Sequence, residues 1–300
     1  MTPVDGAPRT TDRLDLLLPS PLQELSDELL RDHKVCVSLK RDDLIHSEMP
    51  GNKWRKLKHN LVAAADRGSR TLLTFGGAYS NHIRATAAAG HYFGFSTIGV
   101  IRGEEHLPLN PSLAYAVDRG MTLAYLDRTT YRSKESAAVM DSLRARFGDF
   151  YTVPEGGSNE LGARGCAEIP GEIEADFDLI CCPCGSGGTL AGVAAGLHPG
   201  QRAIGFTAIR GGEYVANEVD RLQRRTFGRN SGNWVLEHEF HFGGFARTTD
   251  ELAAFTEAFR ARHGIELDRV YVAKMLYGLF AKVQRGDIEP GSRVVALVTG

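Results

Sequence analysis

No apolar run in this 300-residue chain approaches the ~20 residues that a membrane-spanning helix requires, so no membrane partner is expected. Net charge is equally scarce: 35 Lys and Arg stand against 37 Asp and Glu, leaving −2. So even a balance gives no electrostatic footprint for nucleic acid. Cysteines are few and odd in number: Cys36, Cys166, Cys181, Cys182 and Cys184. That set is not a secreted disulfide framework. Cys181 and Cys184 have C-x-x-C spacing, but a redox pair of that kind wants its first Cys at a helix N-terminus. The residues that follow, Gly185-Ser186-Gly187-Gly188, are poor helix, so small apolar residues closing a buried strand are the expectation. No second Cys/His cluster stands at ligand spacing, so no metal is expected. Residues 1–13 are polar, carry Pro3 and Pro8, and lack the apolar core of a signal peptide. They read as a frayed tail, and a cytoplasmic protein is the expectation. There is no internal repeat, low-complexity linker or Pro/Gly-rich hinge.

What is present is alternation. Apolar runs predict strands over Val35–Lys40, Thr71–Phe75, Ser96–Arg102, Thr122–Leu126, Phe150–Val153, Leu179–Pro183, Ala203–Ala208, Val235–Phe240 and Val294–Val298. Between them, helical patterns cover Lys53–Ala65, Asn81–Phe93, Pro111–Asp118, Tyr131–Phe147, Leu161–Glu174, Gly188–Leu197, Glu213–Gln223, Thr249–His263 and Val270–Gln284. The order predicts an α/β fold with open, parallel-rich sheets flanked by helices.

Three segments carry chemistry. In Gly51-Asn52-Lys53-Trp54-Arg55-Lys56-Leu57, a lysine opens a helix, where the partial positive charge of the N-terminus disfavours a cation. Packed among Arg55, Lys56 and Lys58, Lys53 should lose its proton readily, and a neutral amine is what Schiff-base chemistry with an aldehyde needs. A solvated basic face is the alternative. In Thr74-Phe75-Gly76-Gly77-Ala78-Tyr79-Ser80-Asn81-His82, a strand gives way to a helix with Ser80 as N-cap. In Pro183-Cys184-Gly185-Ser186-Gly187-Gly188-Thr189, a glycine loop joins strand to helix, which aims backbone N–H groups at an anion. A dinucleotide loop would need a third glycine where Leu190 stands and an acid where the next strand ends Ala208-Ile209-Arg210; a Walker loop would need a lysine.

Together these segments resemble the pyridoxal-phosphate enzymes of the tryptophan-synthase-β fold type (fold type II). More narrowly, the chain resembles the 1-aminocyclopropane-1-carboxylate (ACC) deaminase and D-cysteine desulfhydrase family, from about Leu14 to the last residue. Pro154-Glu155-Gly156-Gly157-Ser158-Asn159 and Tyr271-x-x-Lys274 add to the likeness. The resemblance implies a larger domain, 1–53 with 166–300, and a smaller inserted α/β domain, 54–165, with the cofactor in the cleft between them. It implies that Lys53 carries pyridoxal 5'-phosphate and then serves as base. Gly185, Ser186, Gly187, Gly188 and Thr189 would cradle the phosphate, with Lys56 helping, and Asn81 would meet the ring oxygen. Ser80 and His82 would face the substrate carboxylate, with Asn81 and Tyr271 also at the substrate; Lys53, Ser80 and Tyr271 would be catalytic, Tyr271 as acid/base or nucleophile. Tyr271 and Lys274 lie three apart on one predicted helical face, where plain packing is the alternative.

Departures from the family pattern steer the expected reaction. Val272 cannot supply the carboxylate that ACC deaminases direct at the pyridine nitrogen, which leaves Thr299 as a neutral partner. His82 stands where ACC deaminases usually carry Gln. Both favour β-elimination from a small amino acid such as D-cysteine, in a homodimeric lyase releasing a 2-oxo acid and ammonia. ACC deamination is the enzyme alternative; a cofactor-binding protein without turnover is the alternative of another class. The stretch Trp234 to Arg247 is expected to form pocket wall or core.

Overall fold

Strands and helices alternate from Leu22 to Val298 in the computed structural model, which describes residues 14–300. The polar leader read as a tail lies outside the described residues. The strands are β1 Leu22–Glu24, β2 Cys36–Arg41, β3 Thr71–Gly76, β4 Ser96–Arg102, β5 Met121–Leu126, β6 Tyr151–Val153, β7 Leu179–Cys184, β8 Arg202–Thr207, β9 Trp234–Glu237 and β10 Arg293–Val298. The helices are α1 Glu28–Asp32, α2 Asn52–Asp66, α3 Asn81–Phe93, α4 Pro111–Asp118, α5 Arg128–Arg132, α6 Ala137–Phe147, α7 Glu160–Ala167, α8 Gly188–Gly196, α9 Tyr214–Phe227, α10 Asp250–His263 and α11 Val272–Gln284.

Two sheets form. One runs β1-β2-β10-β7-β8-β9 and the other β5-β4-β3-β6. Every pairing is parallel except β1 with β2. Parallel strands need helical crossovers and become buried on both faces, which is why β10 reads as the unbroken apolar run Val294–Val298. The four-stranded sheet comes wholly from residues 71–153, and the six-stranded sheet from both flanks of that stretch. Helix α7, which a division at 165/166 would cut, buries Ala163 and Cys166 with Ile180 and Leu190 against the larger sheet. Its Gly165 also packs against the Arg55 backbone of α2, so α7 lies between the two sides.

Strand alternation separates the C-x-x-C pair. Cys181 joins the core on one face of the larger sheet, with Phe206 and Met275; Cys182 and Cys184 join the other, with Leu190 and Val193. All three are buried free thiols. Cys181 and Cys184 point to opposite faces and cannot pair.

The predicted bounds of α3, α4 and β4 match the structure, because their punctuation is chemical. Ser80 caps α3 and Gly94 ends it in the left-handed region. Asn110 accepts hydrogen bonds from Ser112 N and Leu113 N just ahead of Pro111. Elsewhere the expected elements differ. The single helix over Tyr131–Phe147 is two, α5 and α6, broken at Ser133–Ser136. The one over Leu161–Glu174 stops at Ala167, and Pro170–Glu172 is a 3-10 turn. Short elements β1 and α1 carry too few apolar residues to announce themselves.

In parallel sheets, ligands bind beyond the strand C-termini. Here the ends of β3 and β6 in one sheet, and of β7 and β10 in the other, carry the segments that the sequence singles out.

Candidate active site

Lys53 is the second residue of α2, placed there by a turn only glycine can make. Gly51 has φ +60, and a Cβ on it would lie 1.6 Å from the Thr299 carbonyl oxygen. The end of β10 therefore presses directly on the turn before Lys53. The Lys53 ammonium donates to Asn52 Oδ1 at 2.7 Å, and Asn52 Nδ2 donates to Thr189 Oγ1 at 2.8 Å. This chain couples the lysine to the glycine loop across the cleft. Lys53 keeps partial access to solvent but is surrounded by protein atoms, and that burial, with the charge of Lys56, lowers its pKa to about 7. The sequence attributed the shift to the whole basic cluster, and the structure corrects this. Arg55 is neutralised by Asp42 and Glu172, and Lys58 pairs with Glu168. Lys56 alone remains as an uncompensated neighbour.

The glycine loop is built for close approach. Gly187 sits at φ +81, and α8 starts at Gly188 with its N-terminal N–H groups facing the cleft end of β7. A Cβ on Gly188 would lie 2.5 Å from Ser158 Oγ, and one on Gly185 would lie 3.1 Å from the Tyr271 ring. Ser158 and Ser186 join hydroxyl to hydroxyl at 2.5 Å. Lys56 is buried and donates to the Gly156 carbonyl at 3.2 Å and to Ser158 Oγ at 3.4 Å. Gly156–Ser158, Lys56 and Gly185–Thr189 thus frame one cradle with hydroxyl, ammonium and backbone donors.

His82 is buried, not a helix-surface residue. Its Nε2 lies 2.9 Å from Thr74 Oγ1, and the Thr74 hydroxyl gives its only proton to the Val153 carbonyl at 2.8 Å. Through Thr74 the ring is tied to the Val153 carbonyl at the end of β6. The ring's Nδ1 is buried without a partner among the described residues, near Lys56 and Gly157. Burial and the charges of Lys53 and Lys56 lower the His82 pKa to about 3, so the ring stays neutral. Ser80 and Asn81, both partly buried, precede His82 at the start of α3; the Ser80 cap bond to Ile83 N is long, 3.4 Å.

Tyr271 is not on a helical face with Lys274. It is the N-cap of α11, at φ −124 and ψ −64. The Asp268 carboxylate accepts from the backbone N–H of Val270, Tyr271 and Val272, which fixes the phenol's approach to Gly185. Burial and Asp268 push the phenol pKa up, so it stays protonated. Lys274 does something else. Buried, it donates to the carbonyls of His241 at 2.9 Å and Gly244 at 2.7 Å. That tether holds a tight loop in which Phe242 and Ala246 both have positive φ. From the loop Phe245 packs edge-on to Tyr271, with ring centroids 5.9 Å apart, while Phe240 is core. The stretch is therefore wall and core at once. Val272 is fully buried among core residues. Thr299 is buried at the end of β10.

Contacts link Lys53, Lys56, His82, Gly185, Ser186, Gly188, Thr189, Tyr271 and Thr299 around one cleft. Arg55, Asp42 and Asp268 were missed as organisers: no local motif marks a partner far away in sequence. A half-buried amine near neutrality, an anion cradle at a helix N-terminus and a protonated phenol define the class: an enzyme site able to hold a phosphorylated aldehyde on a lysine.

Comparison with known proteins agrees. The family pattern described as "Pyridoxal-phosphate dependent enzyme" matches residues 14–300, and this chain belongs to that family. A bifunctional D-cysteine desulfhydrase/1-aminocyclopropane-1-carboxylate deaminase of Arabidopsis thaliana is 32% identical, over 87% of this chain and 71% of its own. A D-cysteine desulfhydrase of Klebsiella pneumoniae is 28% identical, over 96% and 93%. The crystal structure of an ACC deaminase homologue superimposes with a TM-score of 0.81 at 30% identity, over 94% of this chain and 89% of that one. The protein is a fold type II, pyridoxal-phosphate-dependent lyase of the ACC deaminase/D-cysteine desulfhydrase group.

Proposed function

We propose that the reaction is α,β-elimination from a small amino acid such as D-cysteine, giving a 2-oxo acid and ammonia as the β-substituent leaves. Pyridoxal phosphate, when bound, supplies the electron sink for loss of the α-proton. The residues fit it: glycines where a Cβ would clash, donors around the cradle, and a lysine amine near neutrality. Gly185, Ser186, Gly187, Gly188 and Thr189, with Lys56, hold the phosphate. Lys53 would hold the aldehyde group, and its amine, with a pKa lowered to about 7, is the group that would accept the α-proton. Asn81 would meet the cofactor's ring oxygen, Thr299 would be the neutral partner of its ring nitrogen, and Ser80 with Asn81 would bind the substrate carboxylate. The neutral His82 ring lies on the substrate side with Ser80. The protonated Tyr271 phenol donates to the departing group.

The observation that carries this reading is the pairing of an amine near neutrality at Lys53 with a protonated phenol at Tyr271, both against the glycine loop. One group can accept a proton while the other gives one, as elimination requires. The buried, apolar Val272 supports the choice, since it brings no carboxylate to the site. ACC ring opening is the second reading, supported by the double name of the Arabidopsis relative. Our reading also has a small domain of about residues 54–165, a homodimer, and a cytoplasmic location.

A screen of D- and L-cysteine, D-serine, β-chloroalanine and ACC for 2-oxo acid release tests it. Pyruvate from D-cysteine or β-chloroalanine, with ACC a poor substrate, is the expected pattern. Efficient ACC turnover without reaction of β-substituted alanines moves the assignment to the second reading. No 2-oxo acid from any of them contradicts both.

A further inference from the structure

Arg55 lies two residues beyond Lys53 and is almost fully buried, on the side of α2 that faces the larger sheet. Its guanidinium is committed to two carboxylates. Nε donates to Asp42 Oδ2 at 2.6 Å and Nη2 to Asp42 Oδ1 at 2.8 Å. Nη1 and Nη2 donate to the two oxygens of Glu172 at 2.7 and 2.8 Å. Two bidentate pairs on one planar fork leave it little freedom to turn. Asp42 is itself fully buried and accepts from Ser20 Oγ at 2.6 Å. Glu172 also pairs with the buried Lys40, at 3.2 Å, and Lys40 donates to the Ser20 carbonyl at 2.6 Å.

Asp42 grips the lysine turn twice. Its backbone carbonyl accepts from Gly51 N at 2.8 Å, while its carboxylate holds Arg55. Those contacts fall two residues before and two residues after Lys53. One residue beyond the end of β2 therefore sets both the height at which α2 begins and its rotation about its own axis. On the same stretch of α2, the Arg55 carbonyl lies 1.9 Å from where a Cβ on Gly165 would stand, so the helix cannot slide towards α7.

We propose that Arg55 is a positioning residue for Lys53, acting through this Asp42–Glu172 clamp, and that the clamp also keeps the charge beneath Lys53 balanced. Arg55 and Lys40 are matched by Asp42 and Glu172, so the cluster carries no net charge. This accords with the causes of the Lys53 shift, burial and Lys56 first, among which Arg55 does not figure. The proposal rests on Lys53 carrying the cofactor. Borohydride reduction and peptide mapping of the parent holoenzyme test that separately.

Two variants of the holoenzyme separate the roles. Arg55→Lys keeps the charge and loses the fork; Glu172→Gln loses a charge and one guanidinium bond, while Asp42 keeps both of its own. At equal cofactor loading, Arg55→Lys should change the visible circular dichroism per bound cofactor and lower kcat on the order of 10-fold or more, since small misplacements of a reacting group are costly. KM should change less, and the pH dependence of the cofactor band should stay near the parent's. Glu172→Gln should move that pH dependence to lower pH, because the cluster gains a net positive charge beside Lys53, with the dichroism changed less than in Arg55→Lys because both Asp42 bonds remain. A merely structural role would lower thermal stability in both variants and move neither spectroscopic reading. Parent dichroism and parent kcat in fully loaded Arg55→Lys overturn the positioning role. If Arg55→Lys does not fold, Glu172→Gln decides: an unmoved pH dependence overturns the proposal, and a move to lower pH supports it.

Discussion

At the scale of single residues, Lys53 becomes a usable amine because it is enclosed, more than because it opens a helix. Burial comes first among the causes of its lowered pKa, Lys56 second. With a pKa of about 7, the fraction of free amine rises with pH through neutrality. Protein stripped of cofactor should therefore take up pyridoxal phosphate faster as pH rises from about 6 to about 8, one unit either side of the midpoint, and then level off. Stopped-flow absorbance checks this; a rate still climbing steeply towards pH 10 would mean an ordinary lysine. Tyr271 offers the opposite property, a phenol held protonated. If it takes part in proton transfer, Tyr271→Phe should keep its cofactor and lose about 10²–10⁴ in kcat. Steady-state turnover decides, and near-parent activity would reduce Tyr271 to a packing residue. His82 shows what a residue list leaves out. The sequence places it at the start of a helix but cannot show that it is buried against Thr74, as the structure does.

At the scale of elements, strand-to-helix junctions do most of the organising. The α8 junction depends on Gly187 at φ +81, where a Cβ would lie 2.9 Å from Val219 Cγ2. Gly187→Asp adds strain and sets a carboxylate against an anion cradle, so cofactor retention after desalting should fall to background. Full occupancy and activity in that variant would argue against this loop as the phosphate site. The loop between β9 and α10 is held differently, by a buried lysine tied to its carbonyls. Lys274→Met should free the loop, raise KM several-fold through loss of the Phe245 wall, and leave cofactor occupancy intact, as kinetics and absorbance would show. An unchanged KM would detach this loop from the substrate pocket. Long elements with chemical caps were legible from the sequence, as in Asn81–Phe93 and Pro111–Asp118. The three-residue edge strand Leu22–Glu24 is exposed throughout and has no apolar pattern to read. The break at Ser133–Ser136 is not marked by glycine or proline.

At the scale of the whole molecule, two parallel sheets turn the C-terminal ends of their strands to one cleft, and one lysine turn is fastened from both sides. From the larger sheet, Asp42 holds Gly51 and Arg55. Towards the smaller one, Glu48 accepts from Tyr92 at 2.8 Å and from Arg119 at 2.7 Å. Met49, between Glu48 and Gly51, buries in the core shared by α2 and α3. The fold class and its cofactor chemistry were readable because they sit in contiguous motifs: Gly51–Leu57, Gly76–His82 and Gly185–Thr189. The clamp was not, because Asp42 and Glu172 stand 13 and 117 residues from Arg55. Nor was the exclusion of Cys181–Cys184 pairing by sheet faces, which needs β7 in place.

The account turns on Lys53 as the residue that carries the cofactor. Borohydride reduction of the yellow holoenzyme, then proteolysis and mass spectrometry of the peptides, reads this directly. One pyridoxyl group per chain, on Lys53, is the expected result. A label on Lys56 or Lys274, with Lys53 unmodified, would contradict it.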